Sequence, residues 1–191
     1  ILAAGRGTRM RSARPKVLHP LGGRPLLLHL LDSVQSLAPA RSYVVIAPGM
    51  EEVAQAVAPI PCAVQKRPLG SADALRAATA EISDWQDTVL VLSGDVPLLR
   101  AETLSRLLAA RNAKPRPGVV VLGFRPADPG AYGRLVLGAD GTLDRIVEAR
   151  DASAAEKSIG LCNAGVMALD GKSLPKWLAR VTRDNAQGEY Y

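Results

Sequence analysis

Apolar runs and stretches of helical periodicity alternate along the first two thirds of this 191-residue chain. The runs are nearly continuous in apolar residues, which is typical of parallel strands covered on both faces. Strands are predicted at 1–4, 43–47, 62–65, 88–93 and 119–124. Helices are predicted at 26–37, 50–57, 71–82 and 102–111, the first from apolar residues three and four positions apart. This alternation predicts an α/β fold with a Rossmann-like, doubly wound, mainly parallel sheet.

The pattern changes after Pro126. Two strand-like segments flank Gly138-Ala139-Asp140-Gly141, which indicates a β-hairpin. The remaining strands and the remaining helix are predicted at 132–137, 142–148, 163–169 and 173–181. Both ends look truncated, because the chain begins without Met within a strand and stops without a closing element. We therefore expect a single domain, truncated at both ends, with a small antiparallel part after about residue 125.

Basic residues are concentrated at the start of the chain. The sequence carries 24 Lys and Arg against 18 Asp and Glu, and its first acidic residue is Asp32. A local field of this kind attracts anions. Aromatic residues make up only 4% of the chain and do not interleave with the basic ones, which disfavours a base-stacking surface. We expect a small phosphorylated ligand and no nucleic-acid partner, with a solvated basic arm as the alternative. The cations before Asp32 are Arg6, Arg9, Arg11, Arg14, Lys16 and Arg24.

The first predicted strand leads into a loop of small and basic residues, Gly5-Arg6-Gly7-Thr8-Arg9. Small residues let backbone N–H groups approach an anion closely, and arginine adds forked donors that suit phosphate oxygens. The loop is not a dinucleotide fingerprint, because Met10 occupies the third glycine position, and it is not a Walker loop. With Pro15-Lys16 behind it, the loop predicts a polyphosphate site, whereas a purely structural turn is the alternative.

Two more loops after predicted strands carry candidate chemistry. Ser93-Gly94-Asp95 follows the most strand-like run, where a carboxylate could hold Mg²⁺. A turn-capping aspartate is the alternative. Gln65 precedes the third helix and offers an amide that could pair with a base edge. In the same loop Gly70 allows close backbone approach, and Ser71 could cap the helix.

Polar and glycine residues also stand at strand positions in the second part of the chain. They are Gly133 in Tyr132-Gly133-Arg134, Glu148, and Asn163 in Asn163-Ala164-Gly165-Val166. Glycine within a strand often marks close approach of a ligand, and carboxylate and amide groups are suitable partners for a sugar. Bulges and exposed strand faces remain open as alternatives.

Cys62 and Cys162 are far apart and have neither metal-ligand nor redox spacing. No apolar run approaches membrane-spanning length, and no secretory signal is visible. We therefore expect a reduced, cytoplasmic protein without a membrane partner.

Motifs along nearly the whole chain together match one family. With them the chain resembles the uridylyltransferase domain of bacterial bifunctional N-acetylglucosamine-1-phosphate uridylyltransferase/glucosamine-1-phosphate acetyltransferases. The opening loop alone indicates only sugar-phosphate nucleotidyltransferases, whereas the closing motif points to this family. The motifs are Leu2-Ala3-Ala4-Gly5-Arg6-Gly7-Thr8-Arg9-Met10, Pro15-Lys16, Pro68-Leu69-Gly70, Gly94-Asp95-Val96-Pro97, Tyr132-Gly133-Arg134, Asn163-Ala164-Gly165-Val166 and Asn185-Ala186-Gln187-Gly188-Glu189-Tyr190-Tyr191.

The resemblance implies roles for individual residues. Arg9 and Lys16 would be catalytic, and Asp95 would be a Mg²⁺ ligand. Gly133, Glu148 and Asn163 would hold the N-acetylglucosamine part. About 1–125 would be the nucleotide-binding half, and about 126–191 the sugar-binding half. The uridine nucleotide would be bound by Leu2, Ala3, Ala4, Gly5, Gly7, Thr8, Gln65, Gly70 and Ser71.

The resemblance also implies the reaction: transfer of UMP from UTP to N-acetylglucosamine 1-phosphate, with Mg²⁺, for cell-wall and lipopolysaccharide precursors. It implies a second metal ligand, an Asn, and an acetyltransferase domain beyond Tyr191, through which the protein would form a homotrimer. Two positions depart from the family: Ser71 replaces a common Thr, and Asp73 stands where His is common, which leaves its role open. A nucleotidyltransferase for another sugar phosphate, or a nucleotide-binding module without turnover, are the alternatives.

Overall fold

The computed structural model describes residues 1–5, 7, 10–82 and 85–191. Each predicted helix, and each strand predicted from residue 43 onward, is present with ends shifted by at most a few residues. A short 3-10 helix spans Lys16–Leu18. The strands are β1 (Pro20–Leu21), β2 (Arg24–Pro25), β3 (Val44–Ile46), β4 (Cys62–Val64), β5 (Thr88–Leu92), β6 (Val119–Phe124), β7 (Arg134–Leu137), β8 (Leu143–Val147) and β9 (Cys162–Asp170). The helices are α1 (Leu26–Gln35), α2 (Glu51–Val57), α3 (Ser71–Ala80), α4 (Ala101–Asn112), α5 (Ala154–Lys157) and α6 (Leu174–Arg180).

Residues 1–4 lie in the middle of the sheet. Leu2 bridges in parallel both to Val45 of β3 and to Ser93, directly after β5. Beyond β3 lies β4, which is also parallel. Beyond β5 lies β9, which is antiparallel to it. On its other edge β9 pairs with β6, and its first residue, Cys162, also pairs with Arg134 of β7, which continues into the β7–β8 hairpin.

Helices cover both faces of this sheet. Successive residues of a strand point to opposite faces, so the neighbours of alternate residues identify the helices on each face. On β9, Val166 and Ala168 pack with α1 and α4, whereas Met167 and Leu169 pack with α3 and α6. A third cluster of buried residues joins α1, α2 and α3 to β3 and to Ala3 and Ala4. The α/β class and the doubly wound arrangement are therefore confirmed.

The sheet is mixed, as expected: its strands from the first part of the chain share one direction, and its antiparallel strands come from the part after residue 125. The parallel part is limited to β4, β3, residues 1–4 and β5. Both β6 and the nine-residue strand β9 run antiparallel to their neighbours. Their apolar runs reflect coverage by helices on both faces and carry no information about strand direction.

Two small elements were not predicted, although the sequence carried their signals. The β1–β2 hairpin turns through Gly22 and Gly23, whose φ angles of +58° and +82° suit a two-residue hairpin turn. Helix α5 begins with a capping box, in which Ser153 and Glu156 each bond the other's backbone N–H. The predicted hairpin around 138–141 is confirmed as β7–β8.

Two composition-based expectations can be compared with the structure. Cys62 and Cys162 are both free thiols, as their spacing suggested. Within the described ranges, no helix combines the length and hydropathy needed to span a bilayer.

Candidate functional site

The opening segment ends at the carboxyl edge of the parallel strands. The Leu2 N–H donates to the Leu92 carbonyl, and the Ala3 N–H to the Val45 carbonyl, both at 2.8 Å. The side chains of Ala3 and Ala4 are buried in the core, so a ligand can meet only their backbone. Gly5 is exposed, with nothing within 4 Å of the position that a Cβ would occupy. The open space at this edge therefore begins at Gly5.

Lys16 and Asp95 form an ion pair at this edge. Asp95 lies just after β5, and Lys16 begins the short 3-10 helix that follows Pro15. Both side chains are about one third exposed, at 38% and 32%. Val17, beside Lys16, is buried and lies 3.2 Å from the Cβ position of Gly94. The lysine is thus anchored by its neighbour while its ammonium group stays accessible.

Two glycines allow this close approach. A Cβ on Gly7 would lie 2.6 Å from the Cβ of Lys16, and its φ of +63° disfavours other residues. A Cβ on Gly94 would lie 3.1 Å from the Leu2 carbonyl oxygen. Gly7, Lys16 and Asp95 are therefore in successive contact, so the described part of the opening loop lies close to Asp95.

Gln65 follows β4 at the same edge and is only 5% exposed. Its backbone N–H continues the sheet by donating to the Ile46 carbonyl. Its side-chain amide nitrogen donates to the Gly70 carbonyl at 3.1 Å and to the Asp73 carboxylate at 2.9 Å. This contact with Asp73 was not predicted from the sequence, because it joins the end of a strand to the first turn of a helix.

Gly70 is enclosed by the closing segment of the chain. The Tyr190 N–H donates to the Leu69 carbonyl, and the Tyr190 carbonyl accepts from Ala72 N–H. A Cβ on Gly70 would lie 2.3 Å from the Tyr190 carbonyl oxygen, so only glycine fits. The prediction that Ser71 caps α3 is wrong: Gly70 occupies the cap position with a φ of +108°, and Ser71 is the first helical residue.

The residues predicted on the sugar side also come together. The Asn163 N–H donates to the Gly133 carbonyl at 2.8 Å. The nearer Glu148 carboxylate oxygen lies 3.0 Å from the Cβ position of Gly133. The Asn163 side-chain oxygen accepts from the Gly165 N–H at 2.9 Å, which fixes the orientation of this amide.

Ser93 and Gly165 connect the two groups of residues. Leu92 pairs with Val166 in the sheet, so Ser93 lies beside Gly165, and its hydroxyl is 3.4 Å from the Gly165 carbonyl. A Cβ on Gly165 would lie 2.8 Å from the Ser93 Oγ. Ser93, two residues before Asp95, therefore lies beside the turn that Asn163 forms with Gly165.

Arg134 is almost fully buried, although it belongs to a motif that suggested ligand binding. Its guanidinium donates to the backbone carbonyls of Pro129, Gly130, Tyr132 and Lys157. The buried cation is thus surrounded by carbonyl dipoles and braces the loop that leads to Gly133. Its role in the structure is to hold that loop.

Acidic groups accumulate on the sugar side. Burial raises the pKa of Glu148, and the charges of Asp151 and Glu189 raise it further. Burial also raises the pKa of Tyr191 to about 12, with Glu189 contributing. The Ala186 N–H donates to Asp151 at 2.8 Å, so the closing segment reaches the sugar side as well as Gly70.

The basic residues of the opening segment differ in their surroundings. Arg24 forms a two-point ion pair with Asp32 at 2.5 and 2.9 Å and so belongs to the β1–β2 and α1 surface. The predicted site residues Thr8 and Arg9, and the neighbouring Arg6, lie outside the described residues.

Asp95 fits a magnesium site of the simplest kind. The described residues include no group of three or more His, Cys, Asp and Glu side chains that could hold a metal ion. Mg²⁺ does not need such a cage, because it is commonly bound by one or two carboxylates together with phosphates and water. The part-exposed Asp95 carboxylate has one oxygen paired with Lys16, and no described residue donates to the other.

The chain is similar to a known family and to solved structures. A family model described as the MobA-like NTP transferase domain matches residues 1–160. The chain belongs to this family. The fold agrees with that of HddC from Yersinia pseudotuberculosis complexed with GMP-PN, at a TM-score of 0.69 and 20% identity, over 99% of this chain and 80% of that one.

Curated relatives are more similar to this chain in sequence than HddC is. The chain is 56% identical to the bifunctional protein GlmU of Rhodospirillum rubrum and 52% identical to that of Paramagnetospirillum magneticum, each over 191 residues. These alignments cover the whole chain but 43% and 42% of the relatives. The chain thus spans less than half the length of the curated relatives it matches.

Proposed function

We propose that this chain transfers UMP from UTP to N-acetylglucosamine 1-phosphate, giving UDP-N-acetylglucosamine and pyrophosphate. The observation that carries the proposal is the order of groups along one edge of the sheet: Asp95, paired with Lys16, follows β5, which lies between the end of β4 with Gln65 and the start of β9 with Asn163. Gln65 and Gly70 offer an amide and backbone groups on one side. Glu148 and Asn163 offer a carboxylate and an amide on the other. Family membership and the relatives named GlmU support the proposal.

The reaction needs no general base. A phosphate oxygen of the sugar phosphate, already an anion near neutral pH, attacks the α-phosphorus of UTP. The bond from that phosphorus to the oxygen bridging to the β-phosphorus breaks, and pyrophosphate leaves with the electron pair. The protein lowers the barrier by positioning the reactants and by stabilising charge on the phosphoryl oxygens.

Lys16 stabilises negative charge at the α-phosphate. Its ammonium group is a compact point charge on a flexible stem, held near the site by the buried Val17. Arg9 and Thr8, in the same loop as Gly7, contact the phosphates by the family pattern. Asp95 would hold Mg²⁺, which would supply charge neutralisation at the phosphates.

The remaining residues bind the two ends of the substrates. Gly5 contacts the nucleotide through its backbone, as do Leu2, Ala3 and Ala4 where their backbone groups are free. Gln65, Gly70 and Ser71 contact the uracil, and Gly133, Glu148 and Asn163 contact the N-acetylglucosamine. We place the enzyme in the cytoplasm as a homo-oligomer, in line with the family pattern.

A nucleotide panel tests the proposal. The natural polypeptide that contains these 191 residues is incubated with N-acetylglucosamine 1-phosphate, Mg²⁺ and UTP, dTTP, GTP or CTP, and pyrophosphate release is measured. We expect the highest kcat/KM with UTP and a nucleotide-sugar product. Preference for dTTP or GTP would make it a nucleotidyltransferase for another substrate, and tight UTP binding without pyrophosphate would make it a binding module.

A further inference from the structure

We propose that Asp73 is a positioning residue that locks the Gln65 amide in one orientation and thereby makes the site selective for uracil over cytosine. The inference rests on the proposed function and extends it to a residue whose role the sequence left open. Asp73 lies in the first turn of α3, eight positions after Gln65. Its carboxylate contacts the Gln65 amide directly.

The orientation of the Gln65 amide follows from the chemistry of its two neighbours. A primary amide has a donor end with two hydrogens and an acceptor end with one oxygen. The Gly70 carbonyl and the Asp73 carboxylate can only accept, and they lie 3.1 and 2.9 Å from the amide nitrogen. Rotation by 180° would place the amide oxygen against both acceptors. The NH₂ group must therefore face Asp73 and Gly70.

This arrangement uses both amide hydrogens and leaves Oε1 for a ligand. No described residue donates to Gln65 Oε1, and none accepts from the Gly70 backbone N–H. An acceptor and a donor are thus available next to each other at the end of β4. The N3–H of uracil and its adjacent carbonyl present the complementary donor and acceptor.

Cytosine presents the wrong pattern to a locked amide. Its N3 is an acceptor, so it would face Oε1 lone pair against lone pair. A glutamine free to rotate could donate its NH₂ group to N3 of cytosine, which would remove this mismatch and weaken the discrimination. Because Gln65 is buried, an unmatched group there would not be compensated by water, which increases the discrimination.

The fixed orientation of the Gln65 amide depends on the Asp73 carboxylate, which accepts hydrogen bonds and does not donate them. An asparagine at position 73 could present either its oxygen or its NH₂ group, so only the Gly70 carbonyl would still oppose the flipped orientation of Gln65. The variant Asp73→Asn retains the size of the side chain. Glu102→Gln is the matched control, because Glu102 also lies in the first turn of a helix, is exposed, and is on α4, away from Gln65.

The test measures kcat/KM for UTP and for CTP in the natural polypeptide, with circular dichroism to confirm folding. We expect Asp73→Asn to lower the UTP:CTP ratio by about tenfold or more, the range that one base-reading contact provides. The change should lie in KM, with kcat for saturating UTP little altered. Glu102→Gln should keep the wild-type ratio. Asp73→Ala, which removes the acceptor altogether, should also lower the ratio.

The outcomes separate this inference from the proposed function. A wild-type enzyme that uses UTP, with a ratio unchanged within twofold in folded Asp73→Asn and Asp73→Ala variants, would overturn the role of Asp73 alone. A UTP:CTP ratio that also falls in Glu102→Gln would show that losing an acidic group from the first turn of any helix has this effect. That result would also overturn the role of Asp73. Absence of UTP turnover in the wild type would remove the proposed function and this inference together.

Discussion

The nucleotide side and the sugar side of the candidate site are built in different ways. On the nucleotide side, parallel strand ends bring Gly7, Lys16 and Asp95 together through backbone close approach at glycines. On the sugar side, antiparallel strands β7, β8 and β9 bring Gly133, Glu148 and Asn163 together, and a buried arginine holds the connecting loop. The first region contributes a cation beside a carboxylate, whereas the second accumulates acids.

This difference assigns different chemistry to each region. A lysine–aspartate pair at a strand end suits phosphates and a hard cation, where charge develops during the reaction. The sugar side suits neutral hydroxyl and amide groups, which carboxylates and amides bind by hydrogen bonds. We therefore expect changes on the nucleotide side to alter kcat, and changes on the sugar side to alter KM for the sugar phosphate and stability.

The largest effect is expected from Lys16→Met. Removing one electrostatic partner of the transition state typically lowers the rate by about 10²–10³. The matched control is Arg24→Met, which also removes the cation of an ion pair with an aspartate, but on the α1 surface. Steady-state rates of pyrophosphate release should fall for the first variant and remain within about twofold for the second. Equal losses in both would show that any lost surface cation has this effect.

The next effect is expected from Arg134→Lys. A lysine cannot reach the four carbonyls that the guanidinium contacts, so buried acceptors lose their partners. Hydrogen bonds to charged groups are worth about 1.5–3 kcal/mol, and we expect the free energy of unfolding to fall by about 2 kcal/mol. KM for N-acetylglucosamine 1-phosphate should rise while KM for UTP stays near its wild-type value.

Ser153→Ala is the control for this second prediction. It removes the cap of α5 and should destabilise the protein by about 1 kcal/mol, while the guanidinium of Arg134 and its contacts with Pro129, Gly130 and Tyr132 remain. If this variant raised KM for the sugar phosphate as much as Arg134→Lys does, the effect would follow from stability alone. The role of Arg134 in holding the loop would then be rejected.

The smallest effect is expected from Glu148→Gln, as a change in pH dependence. Burial raises the pKa of Glu148 in the folded protein, so the folded state binds this proton more tightly than the unfolded chain. The contribution to stability is therefore greatest below the ordinary carboxyl pKa and is lost as pH rises through the raised value. The glutamine variant should match or exceed wild-type stability at neutral pH, with a difference that narrows on acidification.

Denaturant unfolding over a range of pH measures this difference. The same variant should bind the sugar phosphate more weakly, because an amide replaces the proposed carboxylate contact. A stability difference that widens on acidification would contradict the raised pKa, and an unchanged KM would remove Glu148 from the sugar site.

Features formed by residues close together in the sequence could be predicted, whereas features formed by distant segments could not. The Gly94-Asp95 turn and the opening loop are local, and the strand before each is apolar enough to indicate a carboxyl edge. Gly133, Glu148 and Asn163, which the family resemblance grouped together, lie close to one another, and their role in binding stays a prediction. Roles that depend on contacts between distant segments were not visible.

Three examples show why such contacts could not be predicted from the sequence. Arg134 stands beside the candidate Gly133 in a motif, but its own role could not be predicted, because it binds carbonyls of a loop whose path no sequence pattern specifies. Gly70 looked permissive, but it is required because Tyr190, far along the chain, packs against it. The place of β9 between β5 and β6 was not predicted, because an apolar run shows burial on both faces but does not identify the strands it pairs with.

The central claim is that Asp95 and Lys16 form the phosphate and metal end of a uridylyltransferase site. Pyrophosphate release from UTP and N-acetylglucosamine 1-phosphate, measured against Mg²⁺ concentration, tests it most directly, with Asp95→Asn compared with Asp32→Asn. We expect wild type and Asp32→Asn to share one Mg²⁺ dependence, and Asp95→Asn to need much more Mg²⁺ and to lose about 10²-fold or more in rate. An unchanged Mg²⁺ curve for Asp95→Asn, or a rate within threefold of wild type, would contradict the account.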